Sequence, residues 1–212
     1  MATITLSQNT VQADRLRQIL APWKATVELD PSLPQEAPLR VVFDSANDQA
    51  LQKLSAQGGV GAIEIANARL CTAKGFSALK ALPHLRQLKL EHANLTPASL
   101  QAIAEYSQLR HLSLIDAGLN DNHLTILKSL RRLEHLNLSN NPKISDNGLK
   151  AIAALERLRS LHLAHTAITD KGLQELKALD ALRTLNVVNT LVTQEALEQF
   201  ADAMPNLRNI RR

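Results

Sequence analysis

The chain has 212 residues, of which 45% are hydrophobic and only 2% aromatic, and its formal net charge is +4. Leucine must therefore fill most of any core, and the modest charge permits weak attraction to acidic partners without requiring it. The single cysteine, Cys71, excludes an internal disulfide framework and is interpreted as a small buried hydrophobic residue.

The sequence predicts neither a secretory signal nor a membrane-spanning helix. The first ten residues lack a basic start followed by an apolar run, so no secretory signal is predicted. No stretch approaches the roughly 20 apolar residues that a membrane-spanning helix needs. We expect a cytoplasmic protein, and export by a route without a signal stays open.

The chain begins with a segment that we interpret as a degenerate strand–turn–helix unit. Ile4 and Leu6 alternate as in a strand, and Val11 takes the position that closes the turn. Leu16 and Ile19 then follow at helical spacing. This first unit therefore predicts a strand before residue 11 and a helix after it.

The remainder of residues 1–59 predicts two further strands and a short helix. The strands lie around residues 27–29 and at residues 39–43, and the helix begins at Asn47. Three prolines between the strands, in residues 30–38, exclude a regular helix there. We expect this whole region to cap the open end of a repeat array.

From residue 60 the chain repeats every 24 or 25 residues. Each unit contains an L-x-x-L-x-L strand, an apolar residue that closes the turn, a helix-capping residue and leucines at helical spacing. The units begin at Val60, Leu85, Leu109, Leu133, Leu158 and Leu182. Residues 60–206 are thus predicted to form regular repeats and residues 207–212 a partial C-terminal repeat or cap, all in one continuous domain.

The turn and the start of each helix are predicted from two adjacent positions. The first is apolar and the second is a residue whose side chain can accept hydrogen bonds from free N–H groups. The turn-closing residues are Cys71, Leu95, Leu119, Ile144, Ile168 and Val192. The predicted caps are Thr72, Thr96, Asn120, Ser145, Thr169 and Thr193.

These repeats resemble the leucine-rich repeat family, whose consensus is L-x-x-L-x-L-x-x-N/C-x-L. The phrases ISDNGL and ITDKGL and the unit length resemble its ribonuclease-inhibitor-like and F-box-associated branch, in a form that looks bacterial. The resemblance is strong over residues 60–212 and weak over residues 1–59, where no F-box pattern is present. It implies an α/β leucine-rich repeat solenoid, a curved array with parallel strands on the concave face and helices on the convex face. It also implies protein binding, mostly through the strand face.

The consensus Asn/Cys position is irregular in this chain. It holds Asn141, Thr166 and Thr190, but alanine in the units that contain Ala93 and Ala117. Because an alanine side chain has no hydrogen-bonding group, we expect the family's asparagine ladder to be interrupted.

Side chains between the core leucines should point to the concave face and form rows, because neighbouring parallel strands lie about 4.8 Å apart. Five of the seven histidines fall in these rows; His111 and His135 should be direct neighbours, with His162 diagonal to them. Ile115 and Val188 are predicted to be exposed aliphatic side chains there. The partner-binding residues we predict are Gln87, Lys89, His111, Ile115, Asp116, His135, Asn137, His162, His165 and Asn186.

We expect a non-enzymatic scaffold that binds a protein partner through the concave face as a monomer. Catalytic and cofactor-binding residues are not predicted, because the chain has no G-x-S-x-G, phosphate-binding glycine loop, H-E-x-x-H or dinucleotide fingerprint. The alternative is a histidine-based metal-binding or pH-responsive binding protein, because adjacent imidazoles can share zinc and titrate near pH 6.5. No metal ligands are assigned.

A basic ladder occupies the residue after the opening leucine of most units. Our interpretation is a solvated edge of the array, and an acidic partner or nucleic-acid phosphates are the alternatives. The lack of aromatic residues for base stacking argues against nucleic acid. The ladder consists of Arg86, Arg110, Arg159, Arg183 and Arg208, interrupted by Glu134.

Overall fold

The computed structural model describes the backbone of residues 2–212 and the side chains of residues 8–212. The chain folds as two compact units, Met1–Leu109 and Arg110–Arg212, called unit 1 and unit 2. Among the described residues, no helix has both the length and the apolar character needed to cross a membrane.

Unit 1 alternates strands and helices after one long N-terminal helix. Strand β1 pairs antiparallel with β2, whereas β2, β3 and β4 are parallel. Its elements are α1 (Ala2–Leu20), a 3₁₀ turn (Ala21–Trp23), β1 (Thr26–Leu29), β2 (Leu39–Phe43), α2 (Asp48–Ser55), β3 (Val60–Ile65), α3 (Ala73–Ala78), a 3₁₀ turn (Leu79–Ala81), β4 (Gln87–Glu91) and α4 (Pro97–Ala104).

Unit 2 consists of regular strand–helix repeats, and its neighbouring strands pair in parallel. Its elements are β5 (His111–Ile115), α5 (Asp121–Leu127), β6 (His135–Asn137), α6 (Asp146–Ile152), β7 (Ser160–His162), α7 (Asp170–Glu175), a 3₁₀ turn (Leu176–Ala178), β8 (Thr184–Asn186), α8 (Gln194–Ala203) and β9 (Asn209–Arg211).

The predicted strand at Ile4 and Leu6 is wrong, because both residues lie in helix α1. Residues 2–20 contain neither glycine nor proline, so nothing interrupts a helix there. Val11 does not close a turn either, since it lies on the helix surface with 69% of its area exposed. The helix instead buries Leu16 and Leu20, which lie one turn apart.

The other elements predicted in residues 1–59 are confirmed. Strands occupy Thr26–Leu29 and Leu39–Phe43, the proline-rich segment between them is a loop, and a helix begins after Asn47. The loop is closed by a hydrogen bond from Asp30 N to Pro38 O at 2.8 Å. It reverses the chain, which is why β1 runs antiparallel to β2. The capping role of this region stays a prediction.

Leucine packing beneath the strands fixes the repeats. The second and third apolar positions of each unit 2 strand segment alternate with polar residues and are almost completely buried. Burying a leucine side chain contributes about 1.5–3 kcal/mol, so each repeat adds several kcal/mol to the core that it shares with its neighbours. These core residues are Leu112, Leu114, Leu136, Leu138, Leu161, Leu163, Leu185 and Val187.

The six predicted turn-closing residues are buried, and the six predicted caps are confirmed as N-caps. Five caps accept a hydrogen bond from a free N–H of the first helical turn. Ser145 does not; its hydroxyl donates instead to Asp121 Oδ2 at 2.6 Å. Cys71 is a free, buried thiol, and burial, with a smaller contribution from Asp48, raises its pKa to about 12.

The consensus position behaves as its residues predict. Asn141 is fully buried; its Oδ1 accepts from the backbone N–H groups of Ala117 and Leu119, and its Nδ2 donates to Leu114 O and Leu138 O. Threonine at this position bonds only within its own turn, as Thr166 Oγ1 does by donating to Leu163 O at 2.6 Å. The asparagine side chain thus ties two repeats together, and threonine does not.

The sequence also predicts that Phe200, Met204 and Ile210 close the C-terminal end of the array. Phe200 and Met204 are buried, whereas Ile210 keeps 36% of its area exposed on strand β9. Strand β9 pairs with β8 on one side only, so its side chains have a neighbour on one side. Strand β9 therefore shields β8 from solvent, whereas its own residues remain exposed.

Candidate functional site

The polar side chains between the core leucines of unit 2 form an ordered surface, which we call the strand face. Parallel pairing places equivalent residues of successive repeats side by side. The surface has two main rows, because side chains alternate along each strand. The first row is His111, His135, Ser160, Thr184 and Asn209; the second is Ser113, Asn137, His162, Asn186 and Arg211.

The two histidines of the first row are stacked. His111 and His135 are register partners on β5 and β6, and their ring centroids lie 4.2 Å apart with an interplanar angle of 16°. His162 pairs with Asn137, which places it diagonal to His135. The predicted adjacency of these three imidazoles is confirmed. His162 Nε2 also lies 3.1 Å from Ser160 Oγ, which holds its ring to the neighbouring row.

Burial disfavours protonation of two of these imidazoles. It lowers the pKa of His135, an effect that Arg159 reinforces and Glu134 partly opposes. Burial also lowers the pKa of His162, with further contributions from Arg211 and His135. These two rings are therefore harder to protonate than a free imidazole, and in its neutral form each presents a flat surface with one donor and one acceptor.

The stacked pair is not arranged as a metal site. A zinc ion bound at about 2.0–2.1 Å lies near the plane of each coordinating ring. The His111 and His135 rings are nearly parallel, so a shared ion would lie out of the plane of at least one of them. Over the described residues, no group of three or more His, Cys, Asp or Glu side chains has positions that could hold a metal.

Two predicted contact residues have a backbone explanation. Asp116 and His165 follow their strands with positive φ angles of 48° and 57°. Asn, Asp and His tolerate this left-handed conformation better than most residues, and His92, Asn140 and Asn189 adopt it at the same position. The sequence pattern at this position is therefore explained by the turn, without any need for a partner.

Ile115 and Val188 are half-buried, which corrects the prediction that both are exposed. They lie beyond the two main rows, at or just after the ends of β5 and β8. Each still presents part of an aliphatic side chain to solvent beside the polar rows. A contact there would bury less new apolar area than a fully exposed residue offers.

The predicted set is divided between the two units, with Gln87 and Lys89 in unit 1. Lys89 Nζ is ion-paired with Glu91 at 2.8 Å on the same strand. Gln87 Oε1 accepts a hydrogen bond from Arg40 at 3.2 Å. Both side chains are thus engaged within unit 1.

Sequence reasoning missed an ionic cluster on the strands of unit 1. Arg40 donates to Asp30 and forms a close ion pair with Glu64 on the adjacent strand β3. Hydrogen bonds from Ser32, followed by Arg40, hold the pKa of Asp30 below its usual value despite partial burial. No sequence signal identified the cluster, because Asp30 reaches Arg40 only after the loop has reversed the chain.

The basic ladder of unit 2 contains one acidic residue that neutralises its neighbours. Glu134 Oε1 pairs with Arg110 at 2.9 Å, and Glu134 Oε2 lies 3.4 Å from Arg159. The backbone holds these residues in register: the carbonyl of Arg110 accepts from both Glu134 N and His135 N. The interruption noted in the sequence is therefore an ion-paired bridge between two arginines.

Comparison with known proteins agrees with this geometry. The family model described as Leucine Rich repeat matches residues 81–104, 129–153 and 157–177. A comparison with curated proteins gave no match. Internalin C2 from Listeria monocytogenes superposes with a TM-score of 0.55 at 19% sequence identity, over 80% of this chain and 79% of that chain. At that identity the likeness shows a shared fold. The repeat unit, the matched segments and this shared fold together show an α/β leucine-rich repeat architecture.

Proposed function

We propose that the chain is a non-enzymatic scaffold that binds a protein partner through the strand face of unit 2. The observation that carries this proposal is the register of polar, mostly half-buried side chains across β5 to β8, which places His111, His135 and Asn137 on one surface. The residues that alternate with these rows are mostly leucines buried in the core, and their packing fixes the strands in place. Such a surface is ordered before it meets a partner.

Pre-ordering favours binding because it reduces the entropy lost when a complex forms. Stacking restricts the His111 and His135 rings, and the Ser160 contact restricts His162. Half-buried rings with both polar and apolar character can exclude water at the centre of an interface. Ile115 adds partly exposed aliphatic surface near the same rows.

The helix side of unit 2 lacks these properties. Lys150 and Lys177 are exposed lysines on or beside helices α6 and α7, and neither has a hydrogen bond or ion pair from its side chain to the rest of the described chain. Long, solvated side chains lose more conformational freedom on binding than stacked imidazoles do. The contrast between the two sides supports the strand face as the recognition surface.

The test is a partner captured from the native host and then measured with purified components. The double variant Ile115→Ala with His135→Ala should weaken binding at least about tenfold, because contact energy concentrates in a few central residues. The matched control is Lys150→Ala with Lys177→Ala, which removes two helix-side chains. Loss of binding only in the control pair would overturn the proposal, provided that both variants keep the wild-type unfolding midpoint.

A pH-responsive version of this function is supported by the lowered pKa of His135 and His162. Protonation below those pKa values would add positive charge beside Arg159 and Arg211 on the same face. Affinity for the captured partner would then differ between about pH 7.5 and about pH 5.5. Equal affinity at both pH values would remove this second candidate and leave the first untouched.

A further inference from the structure

The charge of unit 2 is distributed unevenly between its two sides. Residues 110–212 contain fourteen lysines and arginines and eleven aspartates and glutamates. The strands β5 to β9, with the residue before each, hold five of the basic residues and one acidic residue. The remaining nine basic and ten acidic residues nearly cancel. The excess positive charge of unit 2 is therefore concentrated on the strand side.

Within the strand side, the excess lies towards the last two strands. Arg110 and Arg159 share Glu134, so that end is partly neutralised. Arg183, Arg208 and Arg211 have no acidic partner within the described part of the chain. Arg208 donates to the carbonyl of Pro205 at 2.9 Å, which leaves its charge uncompensated. The positive charge of Arg211 also acts on the histidine row, because it contributes to the lowered pKa of His162.

The backbone positions of these three arginines outline a triangle on two neighbouring strand segments. Arg183 and Arg208 precede adjacent strands, and Arg208 N donates to Arg183 O at 2.8 Å, so their backbones are in register about 4.8 Å apart. Arg211 lies three residues further along β9, about 10 Å away at the usual rise per residue. An extended peptide places alternate side chains about 7 Å apart, so two or three of its carboxylates can reach this triangle.

Neutral donors lie between the arginines. Asn186 Oδ1 accepts from Val188 N at 3.1 Å, and its Nδ2 makes no hydrogen bond to the described residues. The hydroxyl of Thr184, on the same strand, likewise makes no hydrogen bond within residues 8–212. Guanidinium and amide donors together suit carboxylate acceptors, which take two hydrogen bonds per oxygen.

We propose that the end of the strand face around Arg183, Arg208 and Arg211 binds an acidic segment of the protein partner. This inference rests on the proposed function and names the chemistry that the face selects. The side chains favour a peptide over a nucleic acid, because no aromatic residue stands among them on β8 or β9 to stack on bases. In this arrangement His135 and His162 lie beside the acidic segment as neutral rings, and the arginines pair with its carboxylates.

The probe is a fluorescein-labelled peptide of ten glutamates, measured by fluorescence anisotropy at low ionic strength with a twenty-nucleotide oligothymidine as competitor. The wild-type protein should bind the peptide, and added salt should weaken the complex. Arg183→Gln with Arg211→Gln should weaken it about five- to tenfold, since each exposed ionic contact is modest. Lys150→Gln with Lys177→Gln, the same change in net charge, should alter it less than about twofold.

Three outcomes overturn the inference: no binding of the glutamate peptide, equal weakening by the two variant pairs, or tighter binding of oligothymidine than of the peptide. The proposed function is tested separately. A captured partner that loses affinity with Ile115→Ala and His135→Ala but not with Arg183→Gln and Arg211→Gln would retain the scaffold function and reject the acidic segment.

Discussion

Asp146, the first residue of helix α6, accepts two hydrogen bonds from Thr169, the cap of the next helix. Its Oδ1 takes the backbone N–H of Thr169 at 2.8 Å, and its Oδ2 takes the hydroxyl at 2.7 Å. The carboxylate thus joins two successive repeats while lying at a helix N-terminus, where negative charge is favourable. The same double contact is made by Asp48 with Thr72, Asp121 with Ser145 and Asp170 with Thr193.

This contact explains the glycine three residues after the cap. A Cβ on Gly172 would lie 2.4 Å from Asp146 Oδ1, far inside the closest normal approach. Gly75 and Gly148 face Asp48 and Asp121 in the same way, with distances of 2.4 and 2.7 Å. The glycine in ITDKGL therefore packs against the aspartate of the preceding repeat. Ala196 takes the same position after Thr193, where the cap has a different backbone conformation, with φ of −79° against −121° at Thr169.

We predict that Gly172→Ala destabilises the protein by about 1–3 kcal/mol, because the added methyl group must displace a buttressed carboxylate. Helix propensity alone predicts the opposite, a gain of about 1 kcal/mol for alanine inside a helix. Urea unfolding of the two proteins decides the sign. In the background of Asp146→Ala, where the carboxylate is absent, Gly172→Ala should cost less or become stabilising. A higher unfolding midpoint for Gly172→Ala alone would contradict the clash.

The sequence predicted most of this fold because its repeats are local and redundant. A strand leucine such as Leu161 and a cap such as Thr169 recur at a fixed spacing, and one unit confirms another. The strand predicted at Ile4 and Leu6 is wrong because these two alternating residues are not accompanied by the full leucine pattern of a repeat. A single weak unit carries no such redundancy.

For the candidate site, the repeat period predicts the rows of side chains but not the contacts within them. The row neighbours His111 and His135 follow from the repeat period, because parallel pairing adds one strand per unit. Whether their rings stack, or Glu134 bridges two arginines, depends on side-chain rotamers that no pattern specifies. The cluster of Asp30 with Arg40 depends on a loop conformation, which is equally beyond a periodicity argument.

Asn141→Ala should destabilise unit 2 by roughly 2–4 kcal/mol. The substitution leaves the backbone N–H groups of Ala117 and Leu119 buried without their acceptor, and each such group costs about 1–3 kcal/mol. The control is Thr190→Ala, which removes one hydroxyl bonded within its own turn to Val187 O. Thermal and urea unfolding should show a clearly larger loss for Asn141. Equal losses would mean that the asparagine does not tie the repeats together.

Arg40→Met should destabilise unit 1 by about 1–2 kcal/mol, and high salt should reduce the difference from wild type. The substitution keeps much of the aliphatic volume but leaves Asp30 and Glu64 close together without their shared cation. The expected loss of stability is small because the arginine side chain is 24% exposed and the carboxylates retain access to water. Arg17→Met removes donors to Val27 O and one exposed ion pair with Asp14. It serves as the control because it leaves a single exposed carboxylate rather than two that share one cation. A salt-independent loss at Arg40 would contradict the ionic explanation.

Stability should fall as the pH is lowered through the normal histidine range, and His135 and His162 should carry part of that fall. Each has a pKa below 6.5 in the folded protein, so the unfolded chain binds the proton more readily. Their contribution to the free energy of unfolding is therefore complete above about pH 6.5, and it is lost as the pH falls towards their pKa values in the folded protein. The charged and titratable groups that face them are Glu134, Arg159, Arg211 and His111, in addition to each other.

Urea midpoints at about pH 7.5 and about pH 5.5 measure this loss, in a range where carboxylates stay largely ionised. The double variant His135→Gln with His162→Gln should lose less stability between the two pH values than wild type does. His123, whose pKa is also lowered by burial, remains in both proteins and sets the residual slope. His165→Asn removes an exposed imidazole, keeps a residue suited to the positive φ at this position, and serves as the control. If the double variant kept the full wild-type pH dependence, burial of these two rings would not be a source of it.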